Sequence, residues 1–197
     1  PEVEAKLTLD AVKSRLEILG IKQNFVLVDI GGGSTELSFY LNGQVITQSF
    51  RLGIVTVANE ARSLDEIKEI VALKAKEIAD FAKENLREDL LFVATAGTPT
   101  TIAAMKLGMN YQSYNPYKIN GAQLRREELE YYLSKLLDMS KRQREIAVGV
   151  GRDDLIVAGV IIFEEIYKIL DKDEAIIIDD GLREGVALSL CREQGSW

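Results

Sequence analysis

The chain has 197 residues, 47% of them hydrophobic and 28% charged, with a formal net charge of −7, no histidine and one cysteine. The lack of histidine excludes histidine catalysis and histidine-ligated metals, and the lone Cys191 excludes a disulfide framework or a cysteine zinc site. No apolar run approaches the roughly 18 residues that span a bilayer, and the negative balance argues against broad nucleic-acid or membrane binding. With no signal peptide in view, the expectation is a cytoplasmic protein folded as one α/β domain.

In chain order, residues 5–19 read as a helix, with Leu7, Val12, Leu16 and Leu19 partly on one face and Gly20 as the stop signal. Residues 25–30 read as a buried strand and 35–41 as a second, alternating one. Asn42-Gly43 is a type I′ hairpin signal that returns the chain as a third strand over 44–51. Gly53 begins a loop into a helix near 56–62. Residues 65–86 read as a single long helix with the stripe Ile67, Val71, Ile78 and Phe81, and with Asp65 at its cap. A strand over 90–95 leads through Ala96-Gly97-Thr98-Pro99 into a helix over 100–107. Residues 108–123 read as a surface loop. Helices over 125–139 and 154–170, a short strand over 175–178 and a closing helix over 181–190 complete the chain.

The chemistry concentrates in Asp29-Ile30-Gly31-Gly32-Gly33-Ser34-Thr35-Glu36, which follows the apolar run Phe25-Val26-Leu27-Val28. A strand delivers Asp29 to its end, and glycines then allow a turn whose N–H groups form an anion-binding nest, through positive φ where it is needed. Gly31, Gly32 and Gly33 are candidate backbone donors to phosphate, and Ser34 adds a hydroxyl. Asp29 either caps that turn or binds a hard cation, and Glu36 is either an exposed strand residue or a second carboxylate for the same cation. The physics points to a phosphate site with a divalent metal. The strand–turn–helix around Gly97 and Thr98 aims a second set of N–H groups at a ligand, or else Thr98 simply caps the helix. With no histidine, the general base must be a carboxylate, lysine, tyrosine or cysteine.

Asp29-Ile30-Gly31-Gly32-Gly33-Ser34-Thr35-Glu36-Leu37 also resembles the signature of the Ppx/GppA phosphatases, exopolyphosphatases and guanosine pentaphosphate phosphohydrolases of the actin/Hsp70/sugar-kinase superfamily. Three further segments agree in order. Glu4-Ala5-Lys6-Leu7 is similar to the end of a Gly-x-Glu-Glu-Ala-x-Leu segment, though Pro1-Glu2-Val3 departs from it upstream. Ala96-Gly97-Thr98 resembles the family's second loop, and Gly181-Leu182-Arg183-Glu184-Gly185 its Leu-Arg-Glu-Gly close.

The resemblance implies a ribonuclease-H-like α/β half-domain, a mixed sheet with an early antiparallel hairpin flanked by helices. Residues 1–197 would be the second actin-like domain of a longer phosphatase whose first half precedes it. It implies hydrolysis of a terminal phosphoanhydride of polyphosphate or guanosine pentaphosphate, with this domain alone inactive or very weak. Glu4 would be the catalytic base, with Glu2 its local competitor. Glu36 would take a catalytic, water-positioning or metal role. Asp29 and Glu36 would organise Mg²⁺ or another divalent cation, and Gly97 and Thr98 would support a nucleotide or a further phosphate. Arg183 and Glu184 read as an internal ion pair fixing the last helix, and Arg152 and Asp154 as architectural. Lys141, Arg142 and Arg144 are a solvated helix face or a guide for a polyphosphate tail. The partners implied are the substrate and the missing half, with a homodimer possible and neither nucleic acid nor membrane. A kinase of the same superfamily and a non-catalytic nucleotide-binding module are the alternatives.

Overall fold

The computed structural model describes residues 2–193, with the side chains of Glu2 and Glu193 outside that description. The chain runs α1 (Glu2–Ile18), β1 (Phe25–Ile30), β2 (Thr35–Leu41), β3 (Gln44–Phe50), α2 (Ile54–Glu60), α3 (Leu64–Lys74), α4 (Lys76–Asn85), β4 (Leu91–Thr95) and α5 (Gly97–Lys106). It continues through α6 (Pro116–Ile119), β5 (Ala122–Arg125), α7 (Arg126–Asp138), α8 (Lys141–Val148), α9 (Ile156–Ile169), β6 (Glu174–Ile177) and α10 (Leu182–Glu193).

Local chemistry accounts for the early elements. Gly20 ends α1 with φ +78, its N–H donating to Glu17 and that of Ile21 to Leu16, the paired bonds of a Schellman close. Asn42 and Gly43 take φ 51 and 88, as the hairpin between β2 and β3 requires. The single helix expected over residues 65–86 is two helices. The ladder bends at Ala75, which still donates to Val71 and accepts from Ala79, so that Val71 and Ile78 both reach the core. Its cap is Ser63, whose hydroxyl accepts from the Glu66 N–H, in place of Asp65.

The six strands form one mixed sheet in the order β3-β2-β1-β4-β6-β5. β1, β4 and β6 are parallel neighbours, and β2, β3 and β5 join them antiparallel. This is the ribonuclease-H-like arrangement with its early antiparallel hairpin. The segment read as a loop over 108–123 holds α6 and the start of β5. Four residues with only Leu124 buried are too short to show an alternation, so β5 is defined by its pairing with β6.

Successive residues of β1 serve opposite faces. Val26, Val28 and Ile30 join the larger core with α9, while Phe25 and Leu27 join a smaller one with Leu9, Val12 and Leu16 of α1. α9 packs against α2, α3, α4, α5 and α7 on one face, and α1 pairs with α10 on the other. Asp29 has the parity of Phe25 and Leu27, so it emerges on the α1 side. The three parallel strands end at one edge, and an open sheet of this kind places its crevice there.

Candidate active site

A cavity of about 960 Å³ opens at that edge, lined by Glu4 of α1, Asp29 of β1, Thr95 of β4, Ala96 and Gly97, and Asp179 and Gly181 beyond β6. Glu4 and Asp29, 25 positions apart, therefore share one cleft. Asp29 and Glu36 are register partners across β1 and β2. The Asp29 carboxyl is pushed up from 3.8 to about 6, first by desolvation at the strand end and then by the charges of Glu36 and Glu4. The buried Thr8 hydroxyl works against this from α1: it has no partner at full hydrogen-bond geometry, and Asp29 is the acceptor it approaches. Glu36 is oriented from both sides, its Oε1 accepting from Ser34 Oγ at 2.6 Å and from Ser49 Oγ at 2.7 Å. Ser34, expected as a phosphate donor, thus has its hydroxyl turned to Glu36.

The glycine loop has a different rationale from the one the sequence suggests. Positive φ was the expected reason for glycines, yet none of Gly31, Gly32 and Gly33 takes it. Clearance explains them: a Cβ on Gly31 would lie 3.1 Å from the Ser34 carbonyl, one on Gly32 would lie 3.3 Å from Val55 Cγ2, and Gly33 opens to free space. The Gly31 carbonyl accepts from Ile54 and that of Gly32 from Val55 and Thr56, so the start of α2 holds the loop from behind. Gly53, which sequence reasoning treated only as a loop start, makes this possible. Its Cβ would fall 2.2 Å from the Gly33 carbonyl carbon and 2.3 Å from the Gly32 oxygen. With the carbonyls turned to α2, the N–H groups of Gly32, Gly33 and Ser34 donate to no other group of the described residues.

The second loop is strained. Ala96 takes φ 72 and ψ −172, a region nearly reserved for glycine, and is held there by Thr100, whose hydroxyl donates to the Ala96 carbonyl at 2.8 Å. Gly97 lines the cleft. Thr98 does not: its side chain is buried against α9, where a Cβ on Gly159 would sit 2.1 Å from the Thr98 hydroxyl oxygen. The tertiary contact with α9, invisible in a local motif, turns Thr98 from the ligand side to the core side.

Two arginines face the cleft. Arg152 reaches it beside Gly97, where a Cβ would meet Nη2 at 3.1 Å, so it is a cleft residue where an architectural one was expected. Asp154 is 69% exposed and pairs with Lys141. Arg183 is 86% exposed at the cleft mouth, and its 3.8 Å contact with Glu184 is a surface pair where an internal one was expected. Glu184 instead accepts from the Gly181 N–H at 2.9 Å, fixing the first turn of α10. Of the basic run, Lys141 is drawn to Asp153 and Asp154, and Arg144 donates to the Leu136 carbonyl. None of Lys141, Arg142 and Arg144 lines the cleft.

The far wall is aromatic. Tyr114 donates to Asp179, and burial and that neighbour hold its phenol well above the usual range. Tyr111 is 61% exposed beside it, resting on Gly149.

Asp29 and Glu36 are a fit for Mg²⁺, which takes one or two carboxylates together with substrate phosphates and waters rather than a closed protein cage. The excess negative charge around Asp29 is what a cation would relieve. Among the described residues no group of three or more His, Cys, Asp or Glu side chains gathers at metal-holding distance. No helix among them is long and apolar enough to cross a membrane.

Comparison with known proteins gives a consistent family. The model of the Ppx/GppA phosphatase family matches residues 1–194. The chain is 27% identical to exopolyphosphatase 2 of Mycobacterium tuberculosis, over 95% of its own length and 61% of that protein. It is 30% identical to the bifunctional 3-dehydroquinate synthase/phosphatase of Fusobacterium nucleatum, over 85% of its length and 26% of that protein. The crystal structure of the Aquifex aeolicus Ppx/GppA family member superposes with a TM-score of 0.81 at 27% identity, covering 98% of this chain and 63% of that one. The chain thus spans less than two thirds of the length of each of these relatives.

Proposed function

Because the chain belongs to the Ppx/GppA phosphatase family, we propose that its cleft hydrolyses terminal phosphoanhydrides, releasing orthophosphate from polyphosphate or guanosine pentaphosphate. The observation that carries this reading is the meeting of Glu4 and Asp29 in one cleft, with Glu4 close enough to raise the Asp29 carboxyl. The glycine loop follows directly from the same strand end, and none of its residues 31–34 lines that cavity.

In this reading the free N–H groups of Gly32, Gly33 and Ser34 hold the oxygens of the terminal phosphate, and Arg152 supplies positive charge beside Gly97. Glu4 takes a proton from water as the water oxygen bonds to phosphorus. The bridging P–O bond breaks, its electron pair leaves with the shortened chain, and orthophosphate is the second product. Positioning and charge neutralisation do most of the work in such a transfer. Asp29 and Glu36 would hold Mg²⁺, which when bound neutralises phosphate charge; Ser34 and Ser49 keep Glu36 aimed at it. The cation also answers the net charge of −7, which alone repels a polyanion.

The chain is the second half of a longer phosphatase, and the cleft is completed by the half that precedes it. Alone it is inactive or very weak. One feature favours guanosine pentaphosphate over polyphosphate: Tyr111 and Tyr114 offer aromatic surface to a base, which an inorganic chain does not have.

The test is phosphate release by the full-length protein with Mg²⁺, from polyphosphate and from guanosine pentaphosphate, beside a Glu4→Gln form. Release that collapses in Glu4→Gln with substrate binding retained is the expected result. Binding without release in both forms would move the assignment to a nucleotide-binding module.

A further inference from the structure

α1 carries Glu4, yet no side-chain hydrogen bond or ion pair among the described residues holds the Glu4 carboxylate. Its place is inherited from the helix. α1 in turn lies on α10, and it is held at three levels, twice by α10 itself and once by the loop that leads into it. At the cleft end Gly185 of α10 meets Leu7, one helical turn beyond Glu4. A Cβ on Gly185 would stand 2.1 Å from the Leu7 carbonyl oxygen, 2.5 Å from its carbon and 3.1 Å from its Cα. Farther along, Asp10 meets Arg192 at 3.7 Å. At the far end of α1 Arg15 Nε donates at 2.9 Å to Oδ2 of Asp180, in the loop before α10, and Asn120 holds the other oxygen of that carboxylate at 3.0 Å.

We infer that Gly185 is a positioning residue: its missing side chain lets α10 and α1 touch backbone to backbone, and that approach sets where Glu4 stands in the cleft. The inference rests on the reading of Glu4 as general base. Glycine within a helix costs about 1 kcal/mol relative to alanine, so a requirement must offset it, and the Leu7 contact is that requirement. All three clashing atoms are main chain, so no side chain can swing aside. α1 is anchored on the sheet from Leu9 onward, through Leu9, Val12 and Leu16, whereas among the described residues the turn that carries Glu4 buries no side chain before Thr8 and is the part free to move. A methyl group at Gly185 therefore lifts the Glu4 end of α1. α10 itself begins at the cleft, its first turn fixed by the bond from Gly181 to Glu184, so the element that lines the cleft also seats the base.

The test is a double-mutant cycle in the full-length protein, measuring kcat and KM for wild type, Gly185→Ala, Glu4→Gln and the pair. Displacing a catalytic group by about 1 Å costs on the order of 100-fold. Gly185→Ala is expected to lose about that much in kcat with KM changed less than about threefold. On the Glu4→Gln background it should change kcat less than about twofold, because the group it displaces is already disabled. An equal loss on both backgrounds, or no loss on either, overturns the inference. Arg15→Gln, which frees the far end of α1 from the loop before α10, should show the same non-additivity with a smaller loss. If Gly185→Ala does not fold, an unchanged kcat in Arg15→Gln overturns the inference. A Glu4→Gln form that keeps wild-type kcat would instead remove the base assignment itself, a separate and recognisable outcome.

Discussion

On one face of the sheet α9 lies among α2, α3, α5 and α7, with Ile156 to Phe163, Ile166 and Tyr167 all buried. Among the described residues that core counts 37 buried side chains, and no charged group of the cleft is rooted in it except through the loops at its rim. On the other face α1 and α10 cover a core of seven buried residues, and Glu4, Thr8 and Asp29 stand at its end. The larger face provides stability, against which the smaller one holds a carboxylate in a setting that resists its charge. Stability and chemistry are thus separated across the sheet, and substitutions on the two faces should have separable effects.

The largest stability effect belongs to the α9 face. Phe163 packs on Phe92 and Tyr167 with ring centroids 6.0 and 4.9 Å away. Phe163→Ala should cost about 3–5 kcal/mol in urea unfolding, without changing the pH at which Asp29 titrates. A loss with a shifted titration would join the two faces.

The next effect has the opposite sign. Asp29 titrates at about 6 in the fold against an ordinary 3.8, so folding favours its protonated form. Its contribution is fully present below about pH 4 and is lost as pH rises through 6. At pH 7 the ionised carboxyl therefore opposes folding by about 3 kcal/mol. Asp29→Asn should raise Tm at neutral pH, have little effect near pH 4, and abolish phosphate release in the full-length protein. Mg²⁺ should raise the Tm of the wild type and not that of Asp29→Asn. A variant that is less stable at pH 7 would contradict the separation.

Smaller effects fall at the rim. Ala96→Gly should stabilise by about 1 kcal/mol, because glycine accepts the φ that alanine is forced to take. The same change should lower activity if that strain shapes the cleft. Ser63→Ala removes the α3 cap, far from the cleft, and should cost about 1 kcal/mol with kcat untouched.

Much of the fold was legible because its signals are local. Alternation in β2, the apolar run of β1 and the Asn42-Gly43 turn each depend on neighbouring residues alone. β5 was not legible, since its four residues become a strand only beside β6. Nor was the bend at Ala75, which occurs within an unbroken apolar stripe. Of the octet around the glycine triplet only Asp29 lines the cleft, and Gly53 packing, not positive φ, explains the octet's small residues. The direction of Thr98 is set by Gly159, 61 positions away, and Arg152 reads as architectural in sequence because its approach to Gly97, 55 positions away, is equally non-local. A glycine immediately before a helix and after a strand, as at Gly53, was the one available hint of close backbone packing.

If Glu4 and Asp29 form a single charged centre, carboxyl-resolved NMR titration of this chain will register the coupling. Asp29 should titrate near pH 6 in the wild type and at a lower pH in Glu4→Gln, while remaining above 3.8 because desolvation persists. An Asp29 titration that is the same in both forms would place Glu4 outside the cleft and contradict the account.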